Sequence, residues 1–224
     1  MDSIEKGALV PRDNLGRVKL YDARLPSGNG YKIHLLLSQL ELRYEMVDLD
    51  TAASETRHPS FLAKNPNGRI PVLELEDGTF LAESNAILFF LASGTRFLLE
   101  GRRAIAQTLQ WLFFEQYSHE PYIAVLKYWT YWGGLEKCRP DDVARWEVRG
   151  QDALNVMENH LARRNFFVDE QYTIADIALF AYTQSAEALG FQIGPAVHGW
   201  LDRVRMQPGW VPIKRDPMQT MLEQ

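Results

Sequence analysis

The sequence predicts an α/β domain built on a mixed four-stranded sheet, followed by an all-α domain. Three observations carry this. Every strand signal lies between residues 18 and 81, a helical pattern interrupts those strands, and after Gly94 only helical patterns remain. At 224 residues the chain is long enough to bury the core of one large domain or two small ones. The expected division is an N-terminal arm at residues 1–16, the α/β domain at 17–94 and the helical domain at 101–224.

Residues 1–16 are polar and broken by Pro11 and Gly16, so a mobile arm is expected there. Val-Lys-Leu-Tyr at residues 18–21 reads as a first strand, and the turn formers Pro26, Gly28, Asn29 and Gly30 follow it. Ile33, Leu36, Leu37 and Leu40 recur at helical spacing, with Ser27 placed to cap that helix. Residues 44–48 alternate as a second strand, and residues 51–64, interrupted by Pro59, predict loops and a short helix. Pro71 is tolerated as the first residue of a third strand running to Leu75. Asp77-Gly78 then turns the chain into a fourth strand, Thr79-Phe80-Leu81. Glu83-Ser84 opens a helix whose expected buried stripe is Ile87, Phe90 and Leu91. One crossover and one hairpin make the sheet part parallel and part antiparallel.

The stretch at residues 102–132 is helical and crowded with aromatic residues, with a break or kink expected near Glu120 because Pro121 follows it. Its rings serve either as core or as the wall of an apolar cleft. Residues 141–161, 173–189 and 197–206 are the remaining helices, the last closed by Pro208-Gly209. Thr173 with Asp176 three residues later is a capping box, a stability element.

Composition narrows the function classes. A hydrophobic content of 46% and a charged content of 24% suit a soluble globular protein. The net charge of −5 argues against nucleic acid, no apolar run approaches a membrane span, and no secretory leader is visible, so a cytoplasmic protein is expected. The single cysteine, Cys138, excludes an internal disulfide and a Cys-x-x-Cys site, and the five histidines lack metal-binding spacing. No metal site is assigned.

Three places can carry chemistry, and each also has a plain structural reading. Ser27 is either a simple helix cap or a hydroxyl that donates to a bound anion such as a thiolate, lowering its pKa. Glu83-Ser84 is either an ordinary helix start or a matched pair for a zwitterionic head, Glu83 taking the ammonium and Ser84 the carboxylate. Ile70-Pro71 is unremarkable if trans; if cis, it offers the Ile70 backbone to an extended peptide. Glu115 and Glu120, five apart, are a weak signal for paired acid–base work.

In this order and spacing the segments resemble a cytosolic glutathione S-transferase of a bacterial, serine-loop type. The marks are Leu25-Pro26-Ser27-Gly28-Asn29-Gly30-Tyr31-Lys32, Asn65-Pro66-Asn67-Gly68-Arg69-Ile70-Pro71-Val72-Leu73, Ala82-Glu83-Ser84 and Thr173-Ile174-Ala175-Asp176-Ile177. The resemblance implies a thioredoxin-like first domain, a homodimer, and glutathione as cosubstrate with no metal. It implies a cis Pro71, with the Ile70 backbone on the cysteinyl unit, Glu83 and Ser84 on the γ-glutamyl head and Arg69 near the glycyl carboxylate. Ser27 is then the thiolate-stabilising hydroxyl, with Asn29 as the substitute donor, and Tyr21 packs away from the site. The expected activity is attack of the glutathione thiolate on hydrophobic electrophiles or peroxides, as in detoxification. The alternatives are a binding or regulatory module without turnover, and a glutathione-dependent disulfide reductase, which the missing cysteine in the loop disfavours.

Overall fold

The computed structural model describes residues 17–213. The expected arm at residues 1–16 lies outside them. Strand β1 (Val18–Ala23) pairs in parallel with β2 (Tyr44–Leu49), and the helix α1 (Gly28–Gln39) makes the crossover between them. On its other side β1 pairs antiparallel with β3 (Val72–Glu74), which pairs antiparallel with β4 (Phe80–Ala82). The sheet order is therefore β2-β1-β3-β4, the mixed four-stranded sheet of a thioredoxin-like domain. A short helix α2 (Pro59–Leu62) precedes β3, and α3 (Ser84–Ala92) follows β4.

One sheet face buries Leu20 and Leu73 against α1 and α3, in a core that continues into the helical half. The other face packs Tyr21 and Val72 on Phe61 of α2. Helix α1 is buried nearly all round because it lies between the sheet and the second half of the chain: Ile33, Leu35, Leu36 and Leu37 are each wholly buried. That is why its apolar residues exceed a single stripe.

The helical half contains α4 (Arg102–Phe114), α5 (Glu120–Tyr128), α6 (Pro140–Leu161), α7 (Ile174–Thr183) and α8 (Pro195–Arg205). Between α4 and α5 the helix widens into a π-turn, Glu115–His119. The break expected near Glu120 takes this form: Pro121 carries no N–H and would clash with the carbonyl four residues back, and a wider turn relieves both. The capping box is present, with the Thr173 hydroxyl accepting from Ala175 N–H and Asp176 accepting from Thr173 N–H at 2.9 Å.

Two expectations need correction. The helix from Thr173 ends at Thr183 rather than Leu189, because hydroxyls compete for its last carbonyls. Thr183 Oγ1 donates to Leu179 O and Ser185 Oγ to Tyr182 O, and only a 3-10 turn (Glu187–Leu189) follows. In α3 the buried stripe is Ile87, Leu88 and Leu91, whereas Phe90 is 37% exposed.

Candidate active site

The loop from β1 into α1 forms one rim of the site. Ser27 is the N-cap of α1, with extended backbone, and its Oγ accepts from Gly30 N–H at 3.2 Å. That bond uses an oxygen lone pair and leaves the hydroxyl hydrogen to donate elsewhere. The glycines beside it are required by close packing. A Cβ on Gly30 would fall 1.7–2.2 Å from the Asp22 carboxyl atoms, and one on Gly28 would fall 2.5 Å from the Tyr182 ring.

Asn29 is held from three sides. Its Oδ1 accepts from Lys32 Nζ at 2.7 Å and from Ser84 Oγ at 3.1 Å, and its Nδ2 donates to Glu120 Oε1 at 3.2 Å. Lys32 is itself wholly buried and forms an ion pair with the equally buried Glu115, Nζ to Oε1 2.9 Å. Asn85 closes the cluster, donating to Glu115 Oε2 and to Leu112 O, both at 3.0 Å.

A second rim is the loop before β3. Asn65, buried, donates through Nδ2 to Arg69 O at 2.7 Å and accepts from Asn67 N–H at 3.1 Å, so one side chain shapes the turn that presents residues 67–70. The Ile70-Pro71 peptide bond is cis. The third rim is the junction of β4 and α3. Glu83 takes φ +68° and ψ 110°, a conformation rare outside glycine, immediately before buried Ser84. Such strained residues cluster at ligand sites.

These rims enclose a cavity of about 530 Å³. Ser27, Asn29, Arg69, Ile70, Pro71, Glu83 and Ser84 all line it, so the structure brings together every site residue expected from the sequence. Thr51, Thr56, Arg57, Asn65, Asn67 and Gly68 extend it on one side. The aromatic stretch at residues 102–132 contributes Gln116 and Glu120 to the lining rather than its rings, and Trp111 is packed in the core against Phe114, His160 and Phe167. Tyr21 is not part of the lining; its hydroxyl donates to Glu74, and its pKa is pushed up to about 12 by burial and by that carboxylate.

The cavity carries two guanidinium groups, Arg57 and Arg69, and two carboxyls, Glu83 and Glu120. Burial raises the Glu120 pKa above the usual carboxylate range, and the nearby Glu115 charge adds to the rise; Lys32, the Asn29 bond and Arg69 oppose it. The two glutamates five apart are thus not an isolated acid–base pair. The π-turn aims both at the first domain, one at Lys32 and the other at Asn29. No cluster of three metal-ligating side chains occurs among the described residues, and no helix among them is long and apolar enough to cross a membrane.

Sequence reasoning missed Lys32 and Asn85 as supports of this site, and it paired Glu115 with Glu120 rather than with Lys32. The signal was present for Lys32, which stands four residues before Leu36 on the apolar side of its helix, an unusual place for an unpaired charge.

Residues 16–93 match the family model for the glutathione S-transferase N-terminal domain, and residues 140–203 match that for the glutathione S-transferase C-terminal domain. Among curated proteins, the disulfide-bond oxidoreductase YfcG of Escherichia coli (strain K12) is 32% identical over 200 residues, covering 85% of this chain and 91% of the relative. The protein URE2 of Eremothecium gossypii is 28% identical, and the match covers 63% of that longer relative. Among solved structures, a glutathione S-transferase from Pseudomonas fluorescens Pf-5 is 50% identical with a TM-score of 0.85, over 88% of this chain and 98% of that one. Ure2p in complex with glutathione superposes with a TM-score of 0.78 at 27% identity, over 87% and 96% of the two chains.

Proposed function

The chain belongs to the glutathione S-transferase family, and from that premise we propose that it is an enzyme that binds glutathione in the cavity described above and activates its thiol. The observation that carries this reading is that seven residues chosen from sequence alone line one cavity of suitable chemistry. Glu83 accepts from the γ-glutamyl ammonium, and the Ser84 hydroxyl turns from Asn29 Oδ1 to join the first amides of α3 on the γ-glutamyl carboxylate. The Ile70 backbone pairs with the cysteinyl unit beside Pro71, and Arg69 neutralises the glycyl carboxylate. Ser27 Oγ–H and the Asn29 amide donate to the sulfur and favour its thiolate. The boundary between the glutathione-binding domain, 17–94, and the helical domain, 101–224, runs beside this cavity.

The thiolate then attacks an electrophilic carbon. A C–S bond forms, the leaving group departs with its electron pair, and the thiol proton has already gone to solvent. With a hydroperoxide the sulfur attacks the terminal oxygen instead: an S–O bond forms, the O–O bond breaks, and the alkoxide leaves and takes a proton from water. A second glutathione converts the resulting sulfenic acid to glutathione disulfide and water. Holding both partners in one cleft supplies much of the rate. This reading carries with it a detoxifying role for hydrophobic electrophiles, a cytoplasmic location where glutathione is abundant and reduced, and a homodimer that covers the exposed rings of Phe90, Phe113 and Tyr117.

A second acceptor is favoured by the polar lining of the cavity and by the name of the E. coli relative. In that reading the thiolate attacks one sulfur of a disulfide, forming a mixed disulfide and expelling the other sulfur as a thiolate. A second glutathione then displaces the remaining thiol. Glutathione supplies both thiols, since Cys138 does not line the cavity.

Calorimetry with glutathione, followed by turnover with a chloronitrobenzene, an organic hydroperoxide and a small dialkyl disulfide, tests these readings on wild type, Ser27→Ala and Asn29→Ala. Binding in the millimolar range or tighter, with turnover reduced in at least one variant, is expected. Absence of binding at millimolar glutathione would leave a binding or regulatory module for another ligand.

A further inference from the structure

We propose that Lys32, held in place by Glu115, is a positioning residue that fixes the amide of Asn29 with its N–H groups toward the cavity. The proposal rests on the reading of this cavity as a site for glutathione and deepens it.

The geometry is specific. Lysine carries three donors and no acceptor, so a side-chain amide next to its ammonium must present oxygen. Asn29 Oδ1 sits 2.7 Å from Lys32 Nζ and also takes the Ser84 hydroxyl at 3.1 Å, which fills both of its lone pairs. Rotating the amide by half a turn would break both bonds and put an N–H against a cation. The Nδ2 side therefore faces Glu120 and the cavity. Among the described residues Nδ2 has one protein acceptor, Glu120 at 3.2 Å, which leaves its second hydrogen for a ligand.

Lys32 does not reach the cavity itself. It is wholly buried, it does not line the cavity, and its charge is balanced at 2.9 Å by Glu115. Four acceptors surround its three protons: Asn29 and Glu115 take the short contacts, while Ser84 at 3.3 Å and Asn85 at 3.4 Å share the third. The influence of Lys32 on a bound thiol consequently passes through Asn29, whereas its longer contact to Ser84 bears on the γ-glutamyl head. A buried ion pair of this kind is weak as a source of stability, since apolar residues of similar volume often hold a core as well. What apolar residues cannot do is set the orientation of an amide.

The test compares wild type, the Lys32→Met/Glu115→Met double variant, Asn29→Ala, and the triple combination. The apparent pKa of bound glutathione is read from the ultraviolet absorbance of its thiolate, and glutathione affinity from calorimetry. Loss of the pair is expected to raise the bound-thiol pKa by about one unit, with a roughly tenfold fall in kcat/KM at pH below it and an affinity change below about threefold. In the Asn29→Ala background the same removal is expected to shift the thiol no further. A second pair, Lys32→Leu/Glu115→Gln, serves if the first does not fold. An unchanged thiol pKa in the folded pair variant, or the same shift with and without Asn29, overturns the proposal while leaving the glutathione site intact. A wild type that binds glutathione without lowering its thiol pKa, or does not bind it, overturns both.

Discussion

Two wholly buried groups, His119 and Asp176, make stability depend on pH, and they pull in opposite directions. Burial first, and the Lys32 charge second, push the His119 imidazole down from 6.5 to about 3. Burial lifts the Asp176 carboxyl from 3.8 to about 7, against hydrogen bonds from Thr173, Trp200 and Phe167 that favour its anion. A depressed histidine gives stability that is complete above pH 6.5 and lost as pH falls toward 3. A raised carboxyl gives stability that is complete below pH 3.8 and lost as pH rises through 7. Between pH 4.5 and 7.0 the histidine contribution grows and the aspartate contribution shrinks by a similar amount, on the order of 2–3 kcal/mol each at about 1.36 kcal/mol per unit. In wild type these two nearly cancel.

Separating them requires one substitution at a time. His119→Gln keeps a donor for Thr183 Oγ1, which accepts from His119 Nε2 at 2.9 Å, but removes the titration. Its stability relative to wild type, from urea unfolding at both pH values, should fall by roughly 2–3 kcal/mol between pH 4.5 and 7.0. Asp176→Asn should show the reverse trend, rising by roughly 2–3 kcal/mol relative to wild type. Burial also raises the Asp22 and Glu120 carboxyls, but these occur in every variant and drop out of the differences. Difference curves flat to within about 0.5 kcal/mol over that range would refute the reasoning.

Three further outcomes are expected. Gly30→Ala should lower stability by at least about 1–3 kcal/mol, because its Cβ collides with the buried Asp22 carboxyl; an unchanged urea midpoint would contradict this. Glu83→Ala and Ser84→Ala should each weaken glutathione binding by more than about 1 kcal/mol in calorimetry, as hydrogen bonds to charged groups are worth about 1.5–3 kcal/mol; equal affinity in both would remove them from the site. Thr173→Ala should cost about 1 kcal/mol of stability through the lost cap while leaving glutathione affinity alone, and a change in affinity without a change in stability would reverse that assignment.

The sheet and its order of elements were legible because their punctuation is local. Pro71, Asp77-Gly78 and the alternation at residues 44–48 each act within a few residues, and the capping box at Thr173 and Asp176 spans four. The rims of the cavity were legible for the same reason, since each is a short loop entering a helix or strand. The polar cluster behind Asn29 was not. Lys32 and Glu115 are 83 positions apart, and neither names the other: Lys32 stands on the apolar side of its helix without a visible partner, and Glu115 reads only with Glu120 as a weak acid–base signal. Only the packing of α1 against the second half of the chain removes both from water. The end of α7 was misjudged because the apolar pattern runs on past Thr183, whereas hydroxyls at Thr183 and Ser185 take the backbone carbonyls and stop the helix.

The π-turn at residues 115–119 has a consequence for exchanging halves between relatives. It supplies Glu115 to Lys32 and places Glu120 against Asn29, so two of the side chains that hold the loop after β1 are encoded more than eighty residues downstream. A chimera joining the first half of this chain to the second half of a homologue with a regular α-helix at that point would turn those carboxylates to different faces. Its sheet would form, but its Lys32 would be a buried cation without a counter-charge. Productive recombination between such proteins therefore requires the widened turn to travel with the loop it supports, which makes the two halves one unit of inheritance.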